Sequence, residues 1–158
     1  MFWLIAVQWL HVLGGILWFG GSMYITLILI PALLPLPREK QQEVAARVSP
    51  LTTRVLMPVG LLVIALGFIR GTFLGRLHSV QDVFGSAYGL TWLVGLVAAI
   101  ALFTFIAVIF DPDVRRLNAA KSSVEYGATL ARVKVLAVVE LLGFFAIFTC
   151  MILMRFGY

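Results

Sequence analysis

The chain has 158 residues, 62% of them hydrophobic and only 12% charged, with a mean hydropathy of +1.06. A soluble domain carries roughly a quarter of its residues as charged side chains, so this composition excludes that class and points to one all-α membrane domain over residues 1–158. The net charge of +5 is not a nucleic-acid signal, because the basic residues sit in loops beside apolar spans, where they set orientation. With Cys150 as the one cysteine, an internal disulfide is excluded.

The stretch from Phe2 through Pro37 contains no charged residue and exceeds the about 20 apolar residues needed to cross a bilayer. No basic segment precedes it, and it is too long for the apolar part of a cleaved leader. A first span is therefore expected over residues 2–34, its end made ragged by Pro31, Pro35 and Pro37. Residues 38–48 read as a short interfacial helix with a narrow apolar face of Val44, Ala45 and Val48. A second span is expected over 51–74, kinked at Pro58. Loop 75–86 holds His78 and Asp82, and Ser86 reads as the N-cap of a third span over 87–110, which stops at Asp111-Pro112. Ser122-Ser123-Val124-Glu125 has the capping-box pattern and opens a fourth helix over 123–156, with its apolar part from Val135 to Met154. Four helices with short connections predict an antiparallel up-down bundle of four transmembrane helices. No internal repeat stands out.

Nine of the twelve basic residues flank the connections between spans one and two and between spans three and four: Arg38, Lys40, Arg47, Arg54, Arg115, Arg116, Lys121, Arg132 and Lys134. The positive-inside rule then puts both termini outside, in a bacterial cytoplasmic membrane as the expected location.

His11 is the ionisable residue of the first span. It falls roughly 13 Å along the helix from Phe2, so it lies within the membrane, where such a group is costly and a functional candidate by default. Helical spacing puts Gln8, Gly14, Gly15, Trp18 and Ser22 on its face. Gln8 would hold one ring nitrogen and leave the other free for a metal. Gly14 and Gly15 leave room for either a close helix or a flat porphyrin. Arg70 and Arg76, toward the same side of the membrane, would pair with haem propionates. Glu140 is the second intramembrane ionisable group, expected to pair with Arg54; without a partner it would be protonated and relay protons. Cys150, Met151, Met154 and Met1 gather sulfur at the outer side and Met23 and Met57 at the inner one, so a Cu(I) path past His11 can be drawn. His78 is either a solvated loop residue or a second metal ligand. No phosphate-binding glycine loop or Ser/His/Asp set is present, so neither a hydrolase nor a nucleotide enzyme is indicated, and any enzymatic role would be of redox type.

Trp9-Leu10-His11 with Leu17-Trp18-Phe19-Gly20-Gly21 resembles the first helix of the CopD-like (copper-resistance D) membrane domain. Ser86-Ala87-Tyr88-Gly89-Leu90-Thr91-Trp92 resembles the tyrosine-glycine entry to that family's later helix. The first stretch is also similar to HemJ-type protoporphyrinogen oxidases, four-helix proteins whose first-helix histidine is implicated in haem binding. Both families usually carry a lysine early in the later helix, where this chain reads Trp92-Leu93-Val94-Gly95. The basic and aromatic motif that follows the first helix in the HemJ type is also missing, which argues against that enzyme's reaction. What carries over is His11.

These residues lead to three expectations. The first is a membrane metal-centre protein binding b-type haem through His11, with Gly14, Gly15 and Trp18 around the ring and Arg70 and Arg76 on the propionates, serving electron transfer or haem handling. The second is CopD-like copper binding or transport through His11, His78, Cys150 and Met154. The third is a cofactor-free structural subunit of a larger membrane complex. Expected partners are the bilayer and a redox partner or membrane complex, with no nucleic acid.

Overall fold

The computed structural model describes residues 2–158. Four helices are long and apolar enough to cross a membrane: α1 (Phe2–Leu33), α2 (Arg38–Gly71), α4 (Ala87–Ala119) and α5 (Ser123–Arg155), with the short α3 (Val80–Phe84) between the second and third of them. The described residues contain no strand, and the architecture is that of an integral membrane protein. Each long helix reverses the direction of the one before it. Residues 2 and 158 therefore lie at one end of the bundle, here the terminal end, and the two basic connections lie at the other, the basic end.

The helix starts follow side-chain chemistry. Ser86 Oγ accepts from the Gly89 N–H at 3.0 Å and Ser122 Oγ from the Glu125 N–H at 3.1 Å, satisfying amides that have no partner inside the helix. The Glu125 carboxylate turns to the Lys121 N–H (3.0 Å). Within the loop between α2 and α4, Ser79 and Asp82 cap α3 reciprocally: the Ser79 N–H donates to Asp82 Oδ2 and the Asp82 N–H to Ser79 Oγ.

Two boundaries differ from those expected. The short interfacial helix at 38–48 and the span at 51–74 are one continuous 34-residue helix that passes through Pro50 and Pro58. A proline removes one hydrogen bond from a helix, and flanking packing restores the rest. Here Thr52 Oγ1 donates to the Val48 carbonyl (3.0 Å) and Ser49 Oγ accepts from Asn118 Nδ2 (3.2 Å), tying this stretch into the bundle. The third span does not stop at residue 110 but continues to Ala119. It does so through a π turn at Ile106–Phe110, and α1 passes Pro31 through a matching π turn at Ile25–Leu29. Pro31 has no N–H for the Leu27 carbonyl and Pro112 none for that of Val108. The ladder slips by one residue, and the Ile30 N–H donates to the Ile25 carbonyl and that of Asp111 to Ile106.

The helices pack chiefly as two antiparallel pairs, α1 with α2 and α4 with α5. Trp18, Val63, Leu102 and Phe144 form the central core, where the Trp18 indole meets the Phe144 ring edge-on at 5.0 Å. Gly60 makes room for that indole: a Cβ there would lie 2.8 Å from Trp18 Cε2. At the basic end, Phe110, Val133 and Ala137 form a second core. Beside it the buried Asp113 pairs with Arg116 (3.1 Å) and with Arg132 on α5. Large apolar side chains such as Leu61, Val94 and Leu142 cover the outer faces.

Candidate functional site

His11 projects from α1 onto α2, where Nδ1 is 3.0 Å from the Val63 carbonyl oxygen. A carbonyl only accepts, so this bond requires the proton on Nδ1, and in the neutral ring Nε2 keeps a lone pair. Nε2 makes no hydrogen bond to a described residue. The ring fits there because residue 67 is glycine: a Cβ at Gly67 would stand 3.0 Å from His11 Cε1. The Trp92 indole N–H reaches the Gly67 carbonyl from α4 (3.5 Å), so three helices meet at this one residue. Val63 and Gly67 are four apart on α2 and were not singled out from sequence. The spacing of Val63, Gly67 and Arg70 along one face of α2 is the signal that points to them.

Gln8 does not hold the imidazole. Its Oε1 accepts from Arg70 Nε at 3.0 Å, a charge-assisted bond that outcompetes a neutral ring N–H for the same acceptor. The two glycines near His11 serve different ends. A Cβ on Gly14 would meet Val63 Cγ2 at 2.7 Å, so that flank is filled by the neighbouring helix, whereas Gly15 has open space around it. Trp18 is buried in the central core. Arg76 is exposed, its guanidinium 6.0 Å from the centre of the Tyr88 ring.

The other candidate ligands stand apart. His78 is exposed in the loop, where its backbone N–H donates to Asp82 Oδ2 (2.9 Å). The Ser79 hydroxyl, followed by the N–H groups of His78 and Ser79, holds the Asp82 carboxyl below the usual carboxylate range. Cys150 packs against Gly95 at the contact of α4 and α5, with its Cβ 3.2 Å from where a glycine Cβ would be. Met154 follows one turn on, half-buried. Met1 lies outside the described residues. Among the described residues no group of three or more His, Cys, Asp or Glu comes together.

Glu140 is not paired with Arg54. Arg54 is exposed, while the Glu140 side chain is buried and faces the Ser22 hydroxyl of α1. Ser22 follows Trp18 by one turn on the inward face of α1, so helical spacing carries the signal for it.

The residues around His11 suit a group that needs one nitrogen ligand: a free Nε2, an open flank at Gly15 and a guanidinium at Arg70. The fold and this arrangement define an α-helical membrane bundle with an intramembrane histidine fixed by a backbone carbonyl. No family model matches the chain, and no curated protein or solved structure matches it.

Proposed function

We propose that the chain is a membrane metal-centre protein that binds b-type haem through Nε2 of His11. The observation that carries this reading is the bond from Nδ1–H to the Val63 carbonyl. A metal-ligating histidine characteristically donates its other ring nitrogen to such an acceptor, which fixes the tautomer and aims the free nitrogen. Haem is favoured over copper by ligand count: haem iron can be held by one protein histidine, whereas Cu(I) draws on several soft ligands, and Cys150, Met154 and His78 are not gathered at His11. Bound haem would supply one-electron chemistry. The chain's own part is to present Nε2, to leave the Gly15 flank free and to offer the Arg70 guanidinium to a carboxylate. The excess of basic residues at one end supports a reading in which that end faces the cytoplasm and His11 sits in the outer half of a bacterial cytoplasmic membrane.

A second reading, a cofactor-free subunit of a membrane complex, is favoured by the filled Gly14 flank. The two separate in a visible spectrum of the purified protein, oxidised and then reduced with dithionite. A Soret band that sharpens on reduction and is lost in His11→Ala is the expected result. A protein that stays colourless after expression with added haem precursor overturns the haem reading.

A further inference from the structure

The basic half of the bundle encloses a second feature, independent of His11. A cavity of about 170 Å³ lies among α1, α2, α4 and the first half of α5. Glu140 and Ser22 line it at one end, and Gln41 and Tyr126, hydrogen-bonded to each other, line it at the other. Both π turns border it: Ile25 and Leu29 from the first, Ile106 and Phe110 from the second. Such turns recur at functional sites, because the slipped ladder re-aims side chains and opens backbone spacing.

Three observations define what the cavity would hold. Its lining is mainly aliphatic and aromatic, and the charged side chains in it, among the described residues, are both acids: Asp111 and Glu140. Asp111 is already satisfied by Arg115 (2.7 Å) and by the Thr53 hydroxyl (3.1 Å). Glu140 has no ion-pair partner among the described residues, only Ser22. A buried carboxylate without a cation is strongly disfavoured, and a cationic ligand removes that penalty.

Thr26 is the third observation. Thr52, Thr72, Thr104 and Thr149 each return the hydroxyl to the carbonyl four residues back. Thr26, in the π turn and one turn from Ser22, does not: its Oγ1 is buried without a hydrogen-bond partner and its side chain lines the cavity. An engineered apolar cavity of about 150 Å³ takes up benzene, so this one has room for an occupant of that size.

We propose that this cavity binds a small protonated amine with an apolar body of benzene-like size, its ammonium held by Glu140, Ser22 and Thr26 and its body against the π-turn side chains. The probe is benzylamine, with benzyl alcohol as the neutral isostere, titrated calorimetrically into the full chain in lipid nanodiscs. Benzylamine is expected to saturate one site. Glu140→Gln is expected to weaken it by roughly thirtyfold or more, as loss of one member of a desolvated charge pair does, while His11→Ala leaves it unchanged. Thr26→Leu fills the cavity beside Glu140 while keeping the carboxyl, and is expected to weaken benzylamine should Glu140→Gln fail to fold. Equal binding of benzyl alcohol shows an apolar site open to any lipid fragment and overturns the proposal. Undiminished benzylamine affinity in Glu140→Gln or in Thr26→Leu overturns it too.

Discussion

The two halves of this bundle treat a polar group in opposite ways. At the terminal end, His11 is pressed into the contact between α1 and α2, with Val63 as its acceptor and Gly67 as its seat. The ladders there are ordinary α-helix, and the room that Gly14 leaves is taken up by Val63, while Gly15 alone beside His11 keeps open space. At the basic end two prolines slip the ladders of α1 and α4, and Glu140 and Thr26 face space instead of backbone. The difference teaches that polarity inside a membrane bundle is not by itself a sign of an open site. A backbone carbonyl in close packing can fix a side chain for ligation. A ladder defect leaves side chains unsatisfied around a cavity.

Removing the core that the two halves share should have the largest effect. Trp18→Ala is expected to cost about 3 kcal/mol, the lower end of the usual range for large core truncations because lipid, not water, is the competing surroundings. Thermal unfolding of the purified protein checks it, and both halves should loosen together. Asp113→Ala is expected to cost about 2 kcal/mol, since it removes the charge-assisted bonds of a buried carboxylate while the arginines it leaves, Arg116 and Arg132, reach water. The damage should stay at the basic end, which hydrogen exchange resolves: α5 near Arg132 opens while α1 near His11 keeps its protection.

The glycines sharpen the comparison further. Gly14→Ala drives a methyl into Val63 and is expected to destabilise by about 1–3 kcal/mol, whereas Gly15→Ala, facing open space in a helix interior, should raise the melting temperature slightly. Gly15→Phe is expected to weaken haem without unfolding the chain, measured by titration of haemin into the purified protein. The smallest effect belongs to the loop between α2 and α4. The Asp82 carboxyl is held below its ordinary value chiefly by the Ser79 hydroxyl. Its contribution is therefore present above the ordinary carboxylate range and is lost as pH falls through the lowered value. Asp82→Asn should raise amide exchange at His78 and Ser79 at neutral pH and remove that acid dependence.

The four spans were legible because charge-free runs and flanking charges report the membrane directly, and Ser86 and Ser122 marked their helix starts through short-range capping chemistry. The unity of α2 was not legible: Pro50 reads locally as a stop, and the contacts that carry the helix through it come from Asn118, far along the chain. The π turns left one trace, a proline two residues past each, which reads as a helix end in isolation. At the candidate site the sequence pointed to His11 and Glu140, since charge in an apolar run is conspicuous. Their partners were not legible. Val63 contributes a backbone atom that every residue possesses, and Ser22 takes the place beside Glu140 that charge alone would have given to Arg54.

The most direct test is a haemin titration followed at the Soret band for the wild type, His11→Ala and Glu140→Gln, each purified and folded. The wild type and Glu140→Gln should saturate alike at one haem per chain, and His11→Ala should show only the spectrum of free haemin. Saturation in His11→Ala equal to that of the wild type would contradict the assignment of His11 as the ligand.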